Sequence, residues 1–323
     1  MGKRVTILDV AAEAGVSRQT VTRAVNGMGD ISESTRRRVL EAVERLGYRP
    51  SRFARNLVTR QKQHALGLVV ASFDNPYYTD IAASMLSAAA ERGWQVILAS
   101  ATDDAVPSML SSQVDVVVMH YTGSAVRETV GGPPIVYLET GHPDVHAVEL
   151  DIESGIVAIV DALRERGARR FGMVDSGHLR RTHGNYVPTP KRQWFERAAG
   201  DQFVGAAVGE ESIADGGRAF GELLERHPEV DAVLVFNDLM ALGAVQHAHA
   251  HGVDVPGAVR IVGIDGLAFG EAVSPPLTSI ALDRHALAAN ALEIAQILAE
   301  ADFGRIDPVH RKVRSDILWR ESA

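Results

Sequence analysis

From Leu66 onward, short apolar runs alternate with amphipathic stretches, and that alternation organises most of the chain. LGLVVA (66–71), QVILAS (95–100), VDVVVMHY (114–121) and PIVYLE (134–139) read as buried strands of a parallel sheet. Helical spacing fills most of the gaps, starting with Tyr78–Arg92. A second series begins near Asp151, with helix Ser154–Arg166, strand 170–175 (RFGMVD) and a helix near 190–199. It continues through strand 202–209, helix Gly217–Arg226, strand 231–236, helix Leu239–His251 and strand 259–265. Strand–helix alternation of this kind predicts doubly wound α/β units. Two series predict two such subdomains with a ligand-sized cleft between them. A last helix, Arg284–Asp302, places Leu287, Leu292, Ile294, Ile297 and Leu298 at core positions.

The first sixty residues have a different texture. Thr6 and Asp9 have the form of a capping box, Val10, Ala11 and Ala14 follow at helical spacing, and Gly15 supplies a stop. Ser17 caps a second helix with Val21, Ala24 and Val25 as its stripe. Ala11 is small where two helices cross, and Val16 plugs the corner between them. This is the pattern of a helix-turn-helix, with the second helix free to enter a DNA major groove. Its outward face carries Arg18, Gln19, Thr20, Thr22 and Arg23. Arg can fork onto guanine and Gln onto adenine, so Arg18, Gln19 and Arg23 are the expected base readers. Thr6, Ser17, Thr20 and Asn26 are the expected backbone contacts. A third helix follows, capped by Ser32, with Val39, Leu40, Val43 and Leu46 as its stripe. Arg36, Arg37 and Arg38 in its early turns read equally as a solvated face or as phosphate contacts.

Charge divides along the same line. Residues 1–62 hold 13 Lys/Arg against 6 Asp/Glu, a net of +7, while residues 63–323 hold 20 against 35, a net of −15. A basic head on an acidic body suits a head that binds a polyanion. The segment Ser51–Arg60 (SRFARNLVTR) has helical spacing at Phe53, Ala54, Leu57 and Val58, yet is too short to hold a helix alone. Leu57 on so basic a segment is either a wedge between base steps or a seat for the linker on the body. The absence of cysteine rules out disulfides and cysteine-ligated zinc. No segment approaches the apolar length needed to span a bilayer, which predicts a cytoplasmic protein without membrane partners. No phosphate-cradling glycine motif follows any strand, and His178, His183, His247 and Asp238 form no recognisable catalytic or metal set. The expectation is a binding protein rather than an enzyme, with no cofactor. A pure solute receptor would leave the basic head unexplained.

Head, linker and body together resemble the LacI/GalR family of bacterial transcription regulators. The resemblance rests on VTILDVAAEAGVSRQTVTRAVN (5–26), GYRPSRFARNL (47–57), NPYY (75–78), VFNDLMALGAV (235–245), VGIDG (262–266), PPLTSI (275–280) and LWRES (318–322). It implies a helix-turn-helix head at 1–50, a hinge at 51–62 and a periplasmic-binding-protein-like body at 63–323. The body's N-lobe is expected at about 63–149 plus 281–307, and its C-lobe at about 152–278 plus 310–323. It also implies a homodimeric repressor that binds palindromic double-stranded operators. A small effector, most often a carbohydrate, would sit in the cleft and control affinity for DNA.

On this resemblance Leu57 matches the hinge leucine that wedges the central operator step, with Ala54 beside it in the minor groove. Asp238 matches a cleft carboxylate, its alternative being a helix N-cap. Phe73, Asn75 and Tyr77, at the end of the first strand, are expected to line the cleft. The family's second-lobe cleft arginine is less directly matched. An ungapped alignment puts Lys191 there, whereas Arg192 is chemically closer and is the expected contact. Trp194 replaces the glycine that usually follows. The ending after LWRES has no leucine heptads for a tetramer.

Overall fold

The chain divides between Gln63 and His64 into two separately packed units. The structure, a computed structural model, describes residues 7–25, 31–46, 64–100, 113–120, 133–178, 185–300 and 306–323. Thr6, Asn26 and the hinge residues Ala54 and Leu57 lie outside the described residues.

In the first unit, α1 (Ile7–Ala14), α2 (Arg18–Val25) and α3 (Glu33–Leu46) pack around Val10, Ala11, Ala14, Val21, Ala24, Val39 and Ala42. Val16 and Leu46 seal the margins of this core. The expected stripe of α3 needs one correction, because Leu40 is exposed and Ala42 is buried. Position 42 lies three residues beyond Val39, on the same face, whereas position 40 is rotated roughly 100° away from it.

In the second unit β1 (Ala65–Val70) is buried along its whole length, as are β4 (Ile135–Leu138), β6 (Phe171–Ser176) and β8 (Ala232–Val235). With β2 (Gln95–Ser100), β3 (Val116–His120), β5 (His146–Asp151), β7 (Phe203–Gly209), β9 (Arg260–Asp265), β10 (Thr278–Leu282) and β11 (His310–Leu318) they form one sheet. Its order is β2-β1-β3-β4-β5-β11-β10-β9-β8-β6-β7. Read outward from β11, the two halves repeat the same parallel winding, β5-β4-β3-β1-β2 and β10-β9-β8-β6-β7. These are the two expected subdomains.

The apolar pattern did not reveal β5, β10 and β11. The sequence of β11, HRKVRSDIL, is charged and mostly exposed, with only Val313 buried, although the helix Ile152–Glu165 packs against it. Residues 310–314 of β11 pair parallel with β5, and 315–318 pair antiparallel with β10. The strand therefore belongs to both lobes rather than wholly to the second.

Helices cover the sheet as α4 (Pro76–Glu91), α5 (Ile152–Glu165), α6 (Pro190–Ala199), α7 (Ile213–Arg226), α8 (Asp238–Ala250) and α9 (Arg284–Glu300). The helix α9 returns to the first lobe and packs on α4 and β3–β5. Its Ile297, expected in the core, is exposed. Caps place the helix starts. Asn75 accepts the Tyr77 amide at 3.0 Å with Pro76 at the first helical position, so α4 begins two residues earlier than expected. Ser212 likewise accepts the Asp215 amide at 3.2 Å and starts α7 at Ile213.

Glycines then let α7 and α8 meet closely. A Cβ on Gly216 would overlap the Met240 backbone, and one on Gly243 would overlap the Ile213 carbonyl oxygen. Among the described residues no helix is long and apolar enough to cross a membrane, and no group of three His, Asp or Glu could hold a metal.

Because both neighbours of Gly243 are backbone atoms and cannot swing aside, Gly243→Ala is expected to destabilise the body by about 1–3 kcal/mol. Urea unfolding checks this. Gly221→Ala, which meets only the His247 ring, is expected to cost less, and equal effects would contradict the packing account.

Candidate nucleic-acid and effector sites

In the first unit the turn between α1 and α2 is closed by the backbone. The Val16 amide donates to the Ala11 carbonyl at 3.0 Å and the Gly15 amide to the Ala12 carbonyl at 3.3 Å, with Gly15 at φ +61°. That pairing is the Schellman stop, and its left-handed residue is the reason for a glycine here. Ser17 then accepts the Thr20 amide at 3.1 Å and sits 2.9 Å from the Thr20 hydroxyl. The cap leaves Arg18 and Gln19 exposed on the first turn of α2. Thr22 turns its hydroxyl back to the Arg18 carbonyl at 3.1 Å, and Arg23 is half-buried one turn on. Arg36, Arg37 and Arg38 are all exposed on α3.

The second unit gathers its ionisable groups at the carboxyl ends of the strands, where parallel sheets leave a crevice. At the end of β9 the chain turns through Asp265 at φ 125° and Gly266 at φ 69°. A non-glycine residue in that region costs of order 1–3 kcal/mol and persists only when its surroundings hold it. The Gly266 amide donates to the Ser279 hydroxyl at 3.0 Å, and that hydroxyl donates to Asp238 at 2.6 Å. The other Asp238 oxygen accepts the Leu267 amide at 2.7 Å. Arg284 donates to the carbonyls of Asp265, Leu282 and Gly266.

Asp238 is thus fully buried behind the corner, with both oxygens committed to holding it. The cap of α8 falls to Asn237, which accepts the Met240 amide at 2.9 Å. Burial raises the Asp238 carboxyl to about 6, although Ser279, Leu267, Arg320 and Arg284 all favour its charged form. Asp265 is also buried, and no described donor reaches its carboxyl group. Burial pushes that carboxyl well above the ordinary range, against the pull of Lys191 and with Asp238 adding repulsion.

The first lobe supplies a facing wall. Glu139, at the end of β4 with φ 57°, accepts the Tyr77 hydroxyl at 2.8 Å and lies 2.8 Å from His120 Nε2. Tyr78 stands edge-on to His120 with ring centres 5.0 Å apart. Burial alone would raise the Glu139 carboxyl, but His120, with Lys191 and Tyr77 behind it, holds it below its ordinary value. Among the expected residues, Tyr77 joins this wall, Asn75 is occupied as a cap, and Phe73 stands exposed before α4.

The second-lobe cation in this group is Lys191, not Arg192. Lys191 donates to the Phe236 carbonyl at 3.1 Å, lies 4.2 Å above the Phe236 ring, and its charge acts on both Glu139 and Asp265. Arg192 bonds Glu196 at 2.6 Å and Tyr186 at 2.8 Å, and Tyr186 in turn donates to Asp175. The ungapped register therefore gives the residue beside the cleft acids, and the guanidinium braces the loop before α6. Trp194 is half-buried and packs on the core. Composition had not singled out Glu139, His120 or Asp265. Their signal was positional, since each is a titratable residue ending an apolar strand.

The acid behind the corner also sets a pH dependence. A carboxyl raised from 3.8 to about 6 binds protons more tightly folded than unfolded, so its contribution to stability falls as pH rises through that window. Relative to Asp238→Asn, the parent chain is expected to lose up to about 3 kcal/mol between pH 4 and pH 6. Urea titrations at both pH values check this, and parallel curves for the two proteins would contradict it.

Comparison with known proteins agrees with both units. Residues 6–51 match the bacterial regulatory proteins, lacI family, and residues 160–322 match a periplasmic binding protein-like domain. The chain is 32% identical to the HTH-type transcriptional regulator CelR of Thermobifida fusca, over 99% of this chain and 98% of that protein. It is 31% identical to catabolite control protein A of Priestia megaterium, over 90% and 91% of the two chains. A solved CelR–cellobiose complex superposes with a TM-score of 0.67 at 27% identity, covering 99% of this chain and all of that one. The chain belongs to the LacI family of bacterial transcription regulators.

Proposed function

We propose that the chain is a homodimeric repressor whose affinity for a palindromic operator is set by a small carbohydrate held between the lobes of its body. The observation that carries the DNA-binding half is the capped start of α2, which leaves Arg18 and Gln19 exposed where base edges are read. Arg18, Gln19 and Arg23 are the base readers. Ser17, Thr20 and, outside the described residues, Thr6 and Asn26 contact the backbone. Ala54 and Leu57 enter the minor groove between the half-sites. Such a protein acts in the cytoplasm and needs neither a membrane nor a catalytic step.

The effector half rests on Lys191 and Asp265. Their distribution of hydrogen-bonding capacity suits adjacent hydroxyls: Lys191 donates to one described acceptor, and Asp265 has no described donor. A hydroxyl between them donates to the carboxyl and accepts from the ammonium. Tyr77, Tyr78 and Phe73 add rings suited to a sugar face. Asn75 and Arg192 support the site from behind, through the α4 cap and the Tyr186 loop. Asp238 holds the corner that carries Asp265. The cellobiose bound by the related CelR supports a sugar as the first ligand to try.

Selection of binding sites from random duplexes checks the head. The parent is expected to yield a palindrome, and Arg18→Ala to lose about 1–3 kcal/mol of discrimination at one position in each half-site. An unchanged consensus would sink the assignment of Arg18. For the body, a thermal-shift screen of cellobiose, other neutral sugars, nucleosides and small acids is expected to favour a neutral sugar. A sugar present at 100 times its Kd would stabilise the body by about 2.7 kcal/mol. Lys191→Met and Asp265→Asn are each expected to abolish that shift. Stabilisation by nucleosides or acids alone would overturn the carbohydrate reading.

A further inference from the structure

We propose that Arg284 is a positioning residue that fixes the Asp265 corner from the crossover between the lobes and ties it to the first-lobe helix α4. This inference rests on reading the cleft as the effector site. Arg284 is the first residue of α9, on the crossover where β10 leaves the second-lobe sheet and α9 returns to the first lobe. Its guanidinium is only 13% exposed. It donates to the carbonyls of Asp265 and Gly266, the two consecutive residues with positive φ. The nitrogen that reaches Gly266 also pairs with the Asp80 carboxylate on α4 at 3.3 Å.

The amide side of the corner already has its supports, Ser279 for Gly266 and Asp238 for Leu267. Arg284 is the support on the carbonyl side. Without it two buried carbonyls and a costly backbone conformation lose their restraint together. The guanidinium fork suits this task, since a planar group can donate in several fixed directions at once. Asp80 is half exposed and pairs with Arg284, so it helps hold the guanidinium against the corner. The arrangement sets a cation beside the Asp265 carboxyl and anchors it to the first lobe. The other charges acting on it are Lys191, Asp238 and Glu139.

The test uses the full chain and no effector. The Asp265 side chain is followed through a pH titration by its carboxyl carbon resonance in the parent, Asp80→Asn, Arg284→Met and the double variant. Arg284→Met removes a cation beside Asp265 and is expected to raise its midpoint by about half a pH unit or more. Asp80→Asn loosens the guanidinium and is expected to quicken exchange of the Gly266 and Leu267 amides in the parent background, but to add nothing in the Arg284→Met background. An unmoved midpoint in Arg284→Met, or the same quickening in both backgrounds, overturns the proposal. Should Arg284→Met not fold, Arg284→Lys keeps the charge but loses the fork. Exchange of the Gly266 and Leu267 amides is then expected to quicken at least about tenfold, and unchanged protection overturns the proposal. Because no sugar is involved, a failed ligand screen removes the effector reading while leaving these outcomes intact.

Discussion

A buried carboxyl group at a strand end that no donor among the described residues reaches is costly, and the body of this protein is built around holding one. Asp265 is held in a backbone conformation that few side chains adopt, at a corner fastened by Asp238 and Ser279 on its amides and by Arg284 on its carbonyls. None of those groups satisfies the Asp265 side chain itself. Supports of this number around one buried carboxyl fit the ligand position proposed above. Lys191 and Glu139 bring the remaining charge to the same place from opposite lobes.

The head works by a different economy. Among the described residues it has a small core and three helices, and the proposed base readers are what the Ser17 cap leaves uncovered. Helix geometry, set by backbone bonds at Gly15 and the cap at Ser17, presents Arg18 and Gln19 together. Affinity for a polyanion then follows from a net positive charge over residues 1–62, whereas the body repels the same polymer. Binding and sensing are thereby placed in chemically opposite parts of one chain.

Much of this was legible in the residues. Buried strands announce themselves as apolar runs, and the turn between α1 and α2 follows from Gly15 and Ser17 at capping positions. The charged β11 escaped the pattern because only Val313 along it is buried, although it joins the lobes. The site was harder. Asp238 looks like a ligand residue because it follows a strand and opens a helix, but only three-dimensional packing shows that its oxygens are taken by Leu267 and Ser279. The choice between Lys191 and Arg192 was likewise invisible, since adjacent helix residues point about 100° apart, and only packing shows Arg192 bonded to Glu196 and Tyr186.

The central claim is that one ligand is gripped from both lobes, by Lys191 and Asp265 on one side and the Glu139 wall on the other. Hydrogen exchange of the full-length protein, with and without the sugar that most raises its melting temperature, tests this most directly. The account predicts slower exchange at 137–140 on the first lobe and at 264–267 on the second, in the same experiment. Protection confined to a single lobe would contradict it.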